Sequence, residues 1–218
     1  FIGTDPYSIM KLVLTESKTL LLTRPFGLTE ELQRELLRKG IHLLIALVPV
    51  LAQLVGRGVT LGLLASGTIV YTIAEGLRIR GRSVFLISKI TEQAARSRDN
   101  GHFVLGPVTL GLGAMVALLM YPDPAATVAI YALAFGDSAA SLLGKFAGTK
   151  RILGTQGKTL EGAFGCFVAV LMVASHVGLY PTAALAVATV AAFTELLPLR
   201  DLDNLALPLT AGLTVVLT

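Results

Sequence analysis

The amino-acid sequence predicts an all-α, polytopic transmembrane helical bundle of about seven spans, with the N-terminus in the cytoplasm. Three observations lead to this fold class. Of the 218 residues, 54% are hydrophobic and 15% are charged, whereas soluble domains carry about 25% charged residues. The apolar residues form runs close to the length that crosses a bilayer. The basic residues concentrate in alternate loops, as they do in membrane proteins of fixed orientation.

Seven apolar runs are candidate spans, and polar breaks separate them. The first and last are short, so we expect them to be tilted or incomplete. Residues 1–40 then form an N-terminal cytoplasmic or interfacial segment, and residues 41–218 form the transmembrane domain. The seven runs are 41–55, 59–77, 103–121, 125–146, 162–180, 182–199 and 205–218.

The 18 lysine and arginine residues set the predicted orientation. Six of them precede the first span and six follow the second, whereas the three loops on the opposite side contain only Arg57. Because basic loops stay in the cytoplasm, the N-terminus and the loops after spans two, four and six are predicted to be inside.

Most acidic residues fall on the same predicted side, although acidic residues do not determine topology. Asp99, Asp137, Glu161, Asp201 and Asp203 all lie there, and Glu75 and Glu195 lie at the inner ends of spans two and six. Charges of both signs from distant segments therefore converge on one membrane face. This convergence suggests a site for a polyanion bound with a metal ion.

The segment 83–98, SVFLISKITEQAARSR, has an amphipathic pattern. Val84, Ile87, Thr91 and Ala94 fall on one helical stripe, and the charged residues fall elsewhere. We predict a helix that lies in the membrane interface. An ordinary surface helix fits the same pattern.

The stretch 136–162, GDSAASLLGKFAGTKRILGTQGKTLEG, places charged residues between two apolar runs. Asp137 and Ser141 are four residues apart and share a helical face, and Lys145 follows one turn later. An ionised carboxylate inside a span is costly unless it is paired or hydrated. Asp137 is therefore a candidate for a functional site, with a structural ion pair as the alternative.

The glycines of this stretch, Gly157 among them, allow backbone N–H groups to approach phosphate oxygens. Lys145 and Lys158 surround the loop, and Asp137 and Glu161 flank it. This mixture suits a nucleotide bound with Mg²⁺, which prefers a few carboxylates together with phosphate oxygens and water. GTQGKT lacks the spacing of a Walker motif, so a P-loop fold is not expected.

Two other classes of site are not expected. No basic run interleaved with aromatic residues lies in an extended polar region, so the net charge of +4 does not indicate a nucleic-acid partner. His102 and His176 have no neighbouring residues at the spacing of a zinc site.

Four ordered motifs resemble the membrane family that includes dolichol kinase, phytol kinase and the CTP-dependent diacylglycerol kinase. The central motif is GDSAAS, followed by GK and then by GKTLEGA, within residues 136–163. The others are RKGIH at 38–42, ARSRDNGHFVLGP at 95–107 and TELLPLRDLDNLALPL at 194–209. The resemblance covers nearly the whole chain beyond Arg34.

The resemblance implies an enzyme that transfers the terminal phosphoryl group of CTP to a lipid alcohol of the polyprenol or dolichol, phytol or diacylglycerol type. Mg²⁺ is the implied cofactor. Such transfer depends mainly on positioning and charge stabilisation. We expect Asp137 to be the principal metal ligand, with Glu161 and Asp203 as further ligands or their supports, and Lys145 and Lys158 to contact phosphate. For Asp203, a helix N-cap is the alternative.

The remaining candidates bind nucleotide or substrate. For the nucleotide we expect Arg38, Lys39, Arg96, Arg98, Ser141, Gly157 and Asn204, although each arginine could serve only as a topology anchor. The alcohol needs a proton acceptor, and the sequence leaves His42, Glu75, Asp137 and Asp203 open. His42, Glu75 and Glu195 are expected near the substrate. A histidine bonded to a neighbouring helix and the ion pairs Glu75–Arg78 and Glu195–Arg200 are the structural alternatives.

Phosphatidate cytidylyltransferases, which make CDP-lipids, share the GD...G...KT.EG core and are the main alternative. Two departures favour the kinase. Ser141 stands where their core usually has tyrosine, and RDLDN stands where their C-terminal signature resembles HGG..DR.D. An anion transporter is a third hypothesis, but GDSAAS and GKTLEG are not repeated in a second half of the chain.

The expected localisation follows from these assignments. We predict an integral protein of a prokaryotic inner or cell membrane, with its active site facing the cytoplasm. Its expected partners are the membrane, a lipid alcohol and a nucleoside triphosphate, and an oligomer is compatible with the sequence.

Overall fold

A computed structural model of the protein describes residues 30–82, 84–95, 99, 101–152, 154–155 and 157–218. The chain divides into two units, Phe1–Gln33 and Arg34–Thr218. The first unit is described only from Glu30, where helix α1 begins. The second unit contains the elements discussed below.

The described residues form helices almost throughout. Among these described residues, the only β-type pairing is an isolated antiparallel bridge between Arg151 and Thr159. The helices are α1 (Glu30–Leu44), α2 (Leu47–Val55), α3 (Arg57–Ile79), α4 (Phe85–Ala94), α5 (Gly106–Met120), α6 (Ala125–Tyr131), a π-helical turn (Ala132–Gly136), α7 (Asp137–Phe146), α8 (Leu160–His176), α9 (Pro181–Leu196), a 3-10 turn (Arg200–Leu202) and α10 (Asp203–Leu217).

The prediction of an all-helical protein is confirmed for the described residues. Three helical segments, Leu32–Val55, Arg57–Ile79 and Ala125–Phe146, are long and apolar enough to cross a membrane. Shorter apolar helices occupy three more of the predicted spans, Gly106–Met120, Leu160–His176 and Pro181–Leu196. Seven spans and a cytoplasmic N-terminus remain predictions.

The predicted amphipathic helix at 83–98 is present as α4, Phe85–Ala94. Ser83 and residues 96–98 lie outside the described residues. The helix is therefore confirmed in its middle ten residues.

The segment formed by α6, the π-helical turn and α7 is central to the fold. In its most apolar window 61% of the residues are buried, against 17% for α3. Its buried side chains, such as Ile130 and Leu133, pack against α5 on one side, while Val128 packs against α8, α9 and α10. The outer helices instead expose large apolar side chains, among them Leu54, Ile73 and Met172. Such apolar surface indicates contact with a membrane.

Small residues bring α7 and α8 into close contact. A Cβ on Gly162 would lie 2.7 Å from the carbonyl oxygen of Ala140, and one on Gly165 would lie 2.5 Å from Leu143. Glycine lets two helix backbones approach in this way. The approach places the start of α8 beside the end of α7, which carries part of the central sequence motif.

Helix α10 is held against α5 in a similar manner. A Cβ on Gly113 would lie 2.0 Å from the backbone oxygen of Asn204, and one on Gly212 would meet the ring of Tyr121. The Tyr121 hydroxyl donates a hydrogen bond to the carbonyl of Leu209 at 2.7 Å. The start of α10, with Asp203 and Asn204, is thereby fixed beside the start of α5.

Candidate functional site

A cavity of about 230 Å³ lies where the N-terminal motif, the central motif and the C-terminal motif meet. Helices α1, α3, α4 and α5, the first residue of α7 and the segment 200–204 all contribute to its wall. The polar lining residues are Arg38, Lys39, His42, Tyr71, Thr91, Asp99, Asp137, Arg200, Asp201, Asp203 and Asn204. The structure thus brings together segments that are more than 150 residues apart.

Asp137 lies in the wall of this cavity and is buried. The ammonium of Lys39 donates a hydrogen bond to its Oδ2 atom. Nδ1 of His42 lies 2.9 Å from the same oxygen, within ion-pair range but outside hydrogen-bond geometry. Because a buried carboxylate needs a partner of opposite charge, Lys39 allows Asp137 to remain ionised.

The backbone just before Asp137 forms a π-helical turn, Ala132–Gly136. Such turns are rare and often occur at functional sites, because the extra residue changes the direction of the side chains that follow. Gly136 fits closely in this turn, since a Cβ there would lie 2.9 Å from Val170 and 3.2 Å from the sulfur of Cys166. The turn and this glycine together position Asp137.

Glu35 is a buried carboxylate that the sequence analysis did not identify. It accepts hydrogen bonds from the side chains of Arg38 and Ser141, and its Oε2 atom lies 2.8 Å from Nζ of Lys145. The signal that could have revealed it is helical spacing. Glu35, Arg38 and His42 recur every three to four residues and so fall on one face of α1. Glu35 connects the predicted nucleotide-binding residues Arg38 and Ser141 to Lys145.

Lys158 joins the loop after α7 to the end of α9 and the start of α10. Its ammonium donates to the carbonyl oxygens of Glu195 and of Leu197, the latter at 2.8 Å, and to Oδ2 of Asp203 at 2.9 Å. The Glu195 carboxylate is 3.7 Å away. Glu195 therefore pairs with Lys158, a partner that the sequence analysis did not name for it.

Asp203 is the first residue of α10, and the helix N-cap is Leu202, with no side-chain cap. Asp203 therefore does not act as the N-cap of α10, which was its alternative predicted role. Burial raises the pKa of its carboxyl, although the hydrogen bond from Lys158 acts in the opposite direction. Its second oxygen, Oδ1, is buried without a hydrogen-bond partner, so it is available to a ligand of the cavity.

Asn204 holds the start of α10 against the start of α5 through hydrogen bonds. Its side-chain amide donates to Oγ1 of Thr109 at 2.9 Å and to the carbonyl of Gly106 at 3.3 Å. It also lines the cavity. Its contacts therefore serve the packing of the two helices at the site.

Glu161 is not brought to the cavity. Its carboxylate accepts hydrogen bonds from the hydroxyl and N–H of Thr149 and from the N–H of Lys150. Those bonds, led by the one from the Thr149 hydroxyl, lower the pKa of Glu161 to about 2. Gly157, in the same loop, is exposed and has a φ of +92°, a conformation that glycine adopts without strain. Both residues shape the loop between α7 and α8.

Glu75 forms an ion pair with Arg78, which is the structural alternative that the sequence analysis gave for it. It binds Arg78 through two hydrogen bonds of 2.6 and 2.7 Å, and it accepts a third at 2.9 Å from the N–H of Val104. These bonds attach α3 to the segment before α5. Glu75 does not line the cavity.

Lys145 and Lys158, the predicted phosphate contacts, lie beside the cavity without lining it. The predicted residues Arg96 and Arg98 fall outside the described residues. Arg200 and Asp201 line the cavity, although the sequence analysis did not assign them to the site. Arg200 has a φ of +56°, which is uncommon for a residue with a side chain and often marks a functional site.

The carboxylates of the cavity can be related to the ligands that Mg²⁺ prefers. Among the described residues, no group of three or more histidine, cysteine, aspartate or glutamate side chains could hold a metal ion by itself. Mg²⁺ commonly binds through one or two carboxylates plus phosphate oxygens and water. Asp137 and Asp203 line one cavity, and Oδ1 of Asp203 is unpartnered. These two carboxylates fit a metal that arrives with a phosphate, whereas Glu161 does not.

Comparisons with protein-family models, with curated proteins and with solved structures found no match. The resemblance to the lipid kinase family therefore remains a prediction from the motifs.

Proposed function

We propose that this protein is a membrane enzyme that transfers the terminal phosphoryl group of CTP to the hydroxyl of a lipid alcohol. The observation that carries the proposal is the cavity itself, because its wall combines cations and carboxylates with apolar side chains. Arg38, Lys39 and Asp137 represent the first component, and Ile87 and Leu110 represent the second. A charged nucleotide and a lipid need such a combination in one place.

The cationic side chains would supply the charge stabilisation that phosphoryl transfer requires. Arg38 and Lys39 line the cavity from α1, and Arg200 lines it from the segment before α10. In a site with little water, such fixed charges stabilise a transferring phosphate more strongly than they would in bulk solvent. Lys39 would then divide its interactions between Asp137 and the phosphate.

Asp137 and Asp203 would hold Mg²⁺ together with the phosphates. The bound ion would neutralise charge on the phosphate oxygens during transfer. The proton of the alcohol would pass to His42 or to Asp137, since both lie in the cavity wall and within 2.9 Å of each other. Glu75 is less suited to this role because Arg78 and the N–H of Val104 already occupy its oxygens.

The site would face the cytoplasm of a prokaryotic cell, because the basic loops that surround it are predicted to be cytoplasmic. CTP would then reach the site from the cytosol, and the lipid would reach it from the bilayer. The identity of the nucleotide and of the alcohol rests on the motif resemblance.

The experiment uses the full chain, purified in detergent and supplied with Mg²⁺. It is incubated with dolichol, phytol, diacylglycerol or phosphatidate, and with CTP labelled at either the α- or the γ-phosphate. We expect only the γ-label to enter the lipid. Incorporation of the α-label with phosphatidate as acceptor would identify a cytidylyltransferase instead, and the absence of both labels from every lipid would contradict the proposal.

The matched variants are Asp137→Asn in the cavity and Asp123→Asn outside it. Asp123 is exposed and pairs with Arg57 at 3.5 Å. We expect the first to abolish transfer and the second to retain it. Equal activity in the two variants would show that the reaction does not need the Asp137 carboxylate.

A further inference from the structure

We infer that helix α4 forms the binding surface for the apolar chain of the lipid acceptor. This inference rests on the proposed function. It concerns the apolar chain of the substrate, which the charged residues do not bind. A lipid alcohol has a hydroxyl that must reach the charged residues and a chain that must be kept out of water. The wall of the cavity contains charged residues for the hydroxyl and an uncharged helix face for the chain.

The surface that α4 presents to the cavity is free of charge. Ile87, Ile90, Thr91 and Ala94 line the cavity, and their spacing of three and four residues places them on one helical stripe. Lys89 and Glu92 lie on the remainder of the helix and are exposed. The helix therefore directs apolar carbon toward the cavity and charge away from it.

Apolar residues from other helices line the same cavity. Leu105, Pro107 and Leu110 line it from the start of α5, and Ile41 lines it from α1. A chain lying between α4 and α5 would thus have apolar side chains on both sides. Because lipid tails are as apolar as these side chains, the chain can pass from the bilayer to this surface without meeting water.

The charged end of the cavity determines which ligand this apolar part accepts. Lys39 and Arg200 are cations in the same wall, and they complement the phosphate of the lipid product as well as that of the nucleotide. A detergent-like hydrocarbon without a polar head would leave this end unused. The occupant that fits is an amphiphile with one hydroxyl or phosphate head and an apolar chain along α4.

The experiment uses a long-chain primary alcohol that carries a diazirine in its chain. The purified protein is irradiated with this probe, with and without an excess of unlabelled alcohol, and the labelled residues are identified by mass spectrometry. We expect labelling within 87–94 and 105–110 that the unlabelled alcohol suppresses. Labelling confined to other helices, or labelling that the alcohol does not suppress, would overturn the inference.

Two variants on neighbouring residues test the surface directly. Ala94→Trp would place a large ring in the cavity, whereas Gln93→Trp would place the same ring on the exposed face. We expect Ala94→Trp to reduce labelling at least about tenfold, which corresponds to 1.4 kcal/mol of binding, and Gln93→Trp to leave it unchanged. Ile87→Ala, which removes bulk instead of adding it, should weaken labelling without crowding the fold. Wild-type labelling in both cavity variants would contradict the inference.

The result is separable from that of the proposed function. Suppressible labelling along α4 in a protein that transfers no phosphoryl group would support the lipid surface and contradict the kinase. Phosphoryl transfer with no labelling along α4 would support the kinase and contradict the lipid surface.

Discussion

The side chain of Lys39 on α1 donates a hydrogen bond to the carboxylate of Asp137, 98 residues further along the chain. This bond joins the first motif of the sequence to the central one. Both residues are buried and both line the cavity. The ion pair is therefore part of the fold and part of the candidate site at the same time.

We predict that Lys39→Met destabilises the protein and abolishes activity. Removing one partner of a buried pair leaves an uncompensated charge and typically costs about 3–5 kcal/mol. The double variant with Asp137→Asn should recover most of that stability but none of the activity. Thermal unfolding in detergent measures the first effect, and the labelled-CTP assay measures the second. Additive losses of stability in the double variant would contradict direct coupling.

Glu35→Gln should lower activity while the protein remains folded. The substitution keeps the shape of the side chain but removes the charge that holds Lys145 and Arg38. Since neither residue is then fixed, the apparent affinity for CTP should fall. Glu92→Gln on the exposed face of α4 is the matched control. Unchanged nucleotide affinity in Glu35→Gln would show that the cluster acts only in packing.

Lys158→Ala should lower both stability and turnover. The ammonium holds two backbone carbonyls at the end of α9 and one oxygen of Asp203, and hydrogen bonds to a charged group contribute about 1.5–3 kcal/mol each. Lys150→Ala, whose side chain is exposed in the same loop, should change neither. The melting temperature and the labelled-CTP assay test the pair. Equal melting temperatures would refute the role of Lys158 in joining the loop to α9 and α10.

Gly162→Ala should destabilise the contact between α7 and α8. The added Cβ would lie 2.7 Å from a backbone oxygen that cannot easily move, and overpacking of this kind costs about 1–3 kcal/mol. Gly62→Ala in α3 meets nothing within 4 Å. It should leave stability unchanged or raise it by about 1 kcal/mol, the difference in helix propensity. Thermal unfolding compares the two variants, and equal destabilisation would contradict the packing role of Gly162.

The predicted orientation can be tested with single cysteines in a Cys166→Ala background. A cysteine at Lys150 should react with an impermeant maleimide only after the cells are opened, because the loop after span four is predicted to be cytoplasmic. A cysteine at Asp123 should react in intact cells. The opposite pattern would reverse the topology.

The helical nature of the chain was predictable from sequence because each apolar run is set by local composition and by the thickness of a bilayer. The presence of a polar site around Asp137 was also predictable, since a charge within an apolar run needs a partner or water. The amphipathic pattern located α4 for the same local reason.

The partners of these charges depended on tertiary structure, because spacing along the chain does not determine which helices become neighbours. Glu35 could be recognised as part of the site only once α1 lay beside Ser141 and Lys145. Glu161 was a candidate metal ligand like Asp137, yet in the first turn of α8 it bonds to Thr149 of the preceding loop and does not reach the cavity. Local sequence determined where the helices and charges occur, whereas the close approach of distant backbones decided which charges share a cavity.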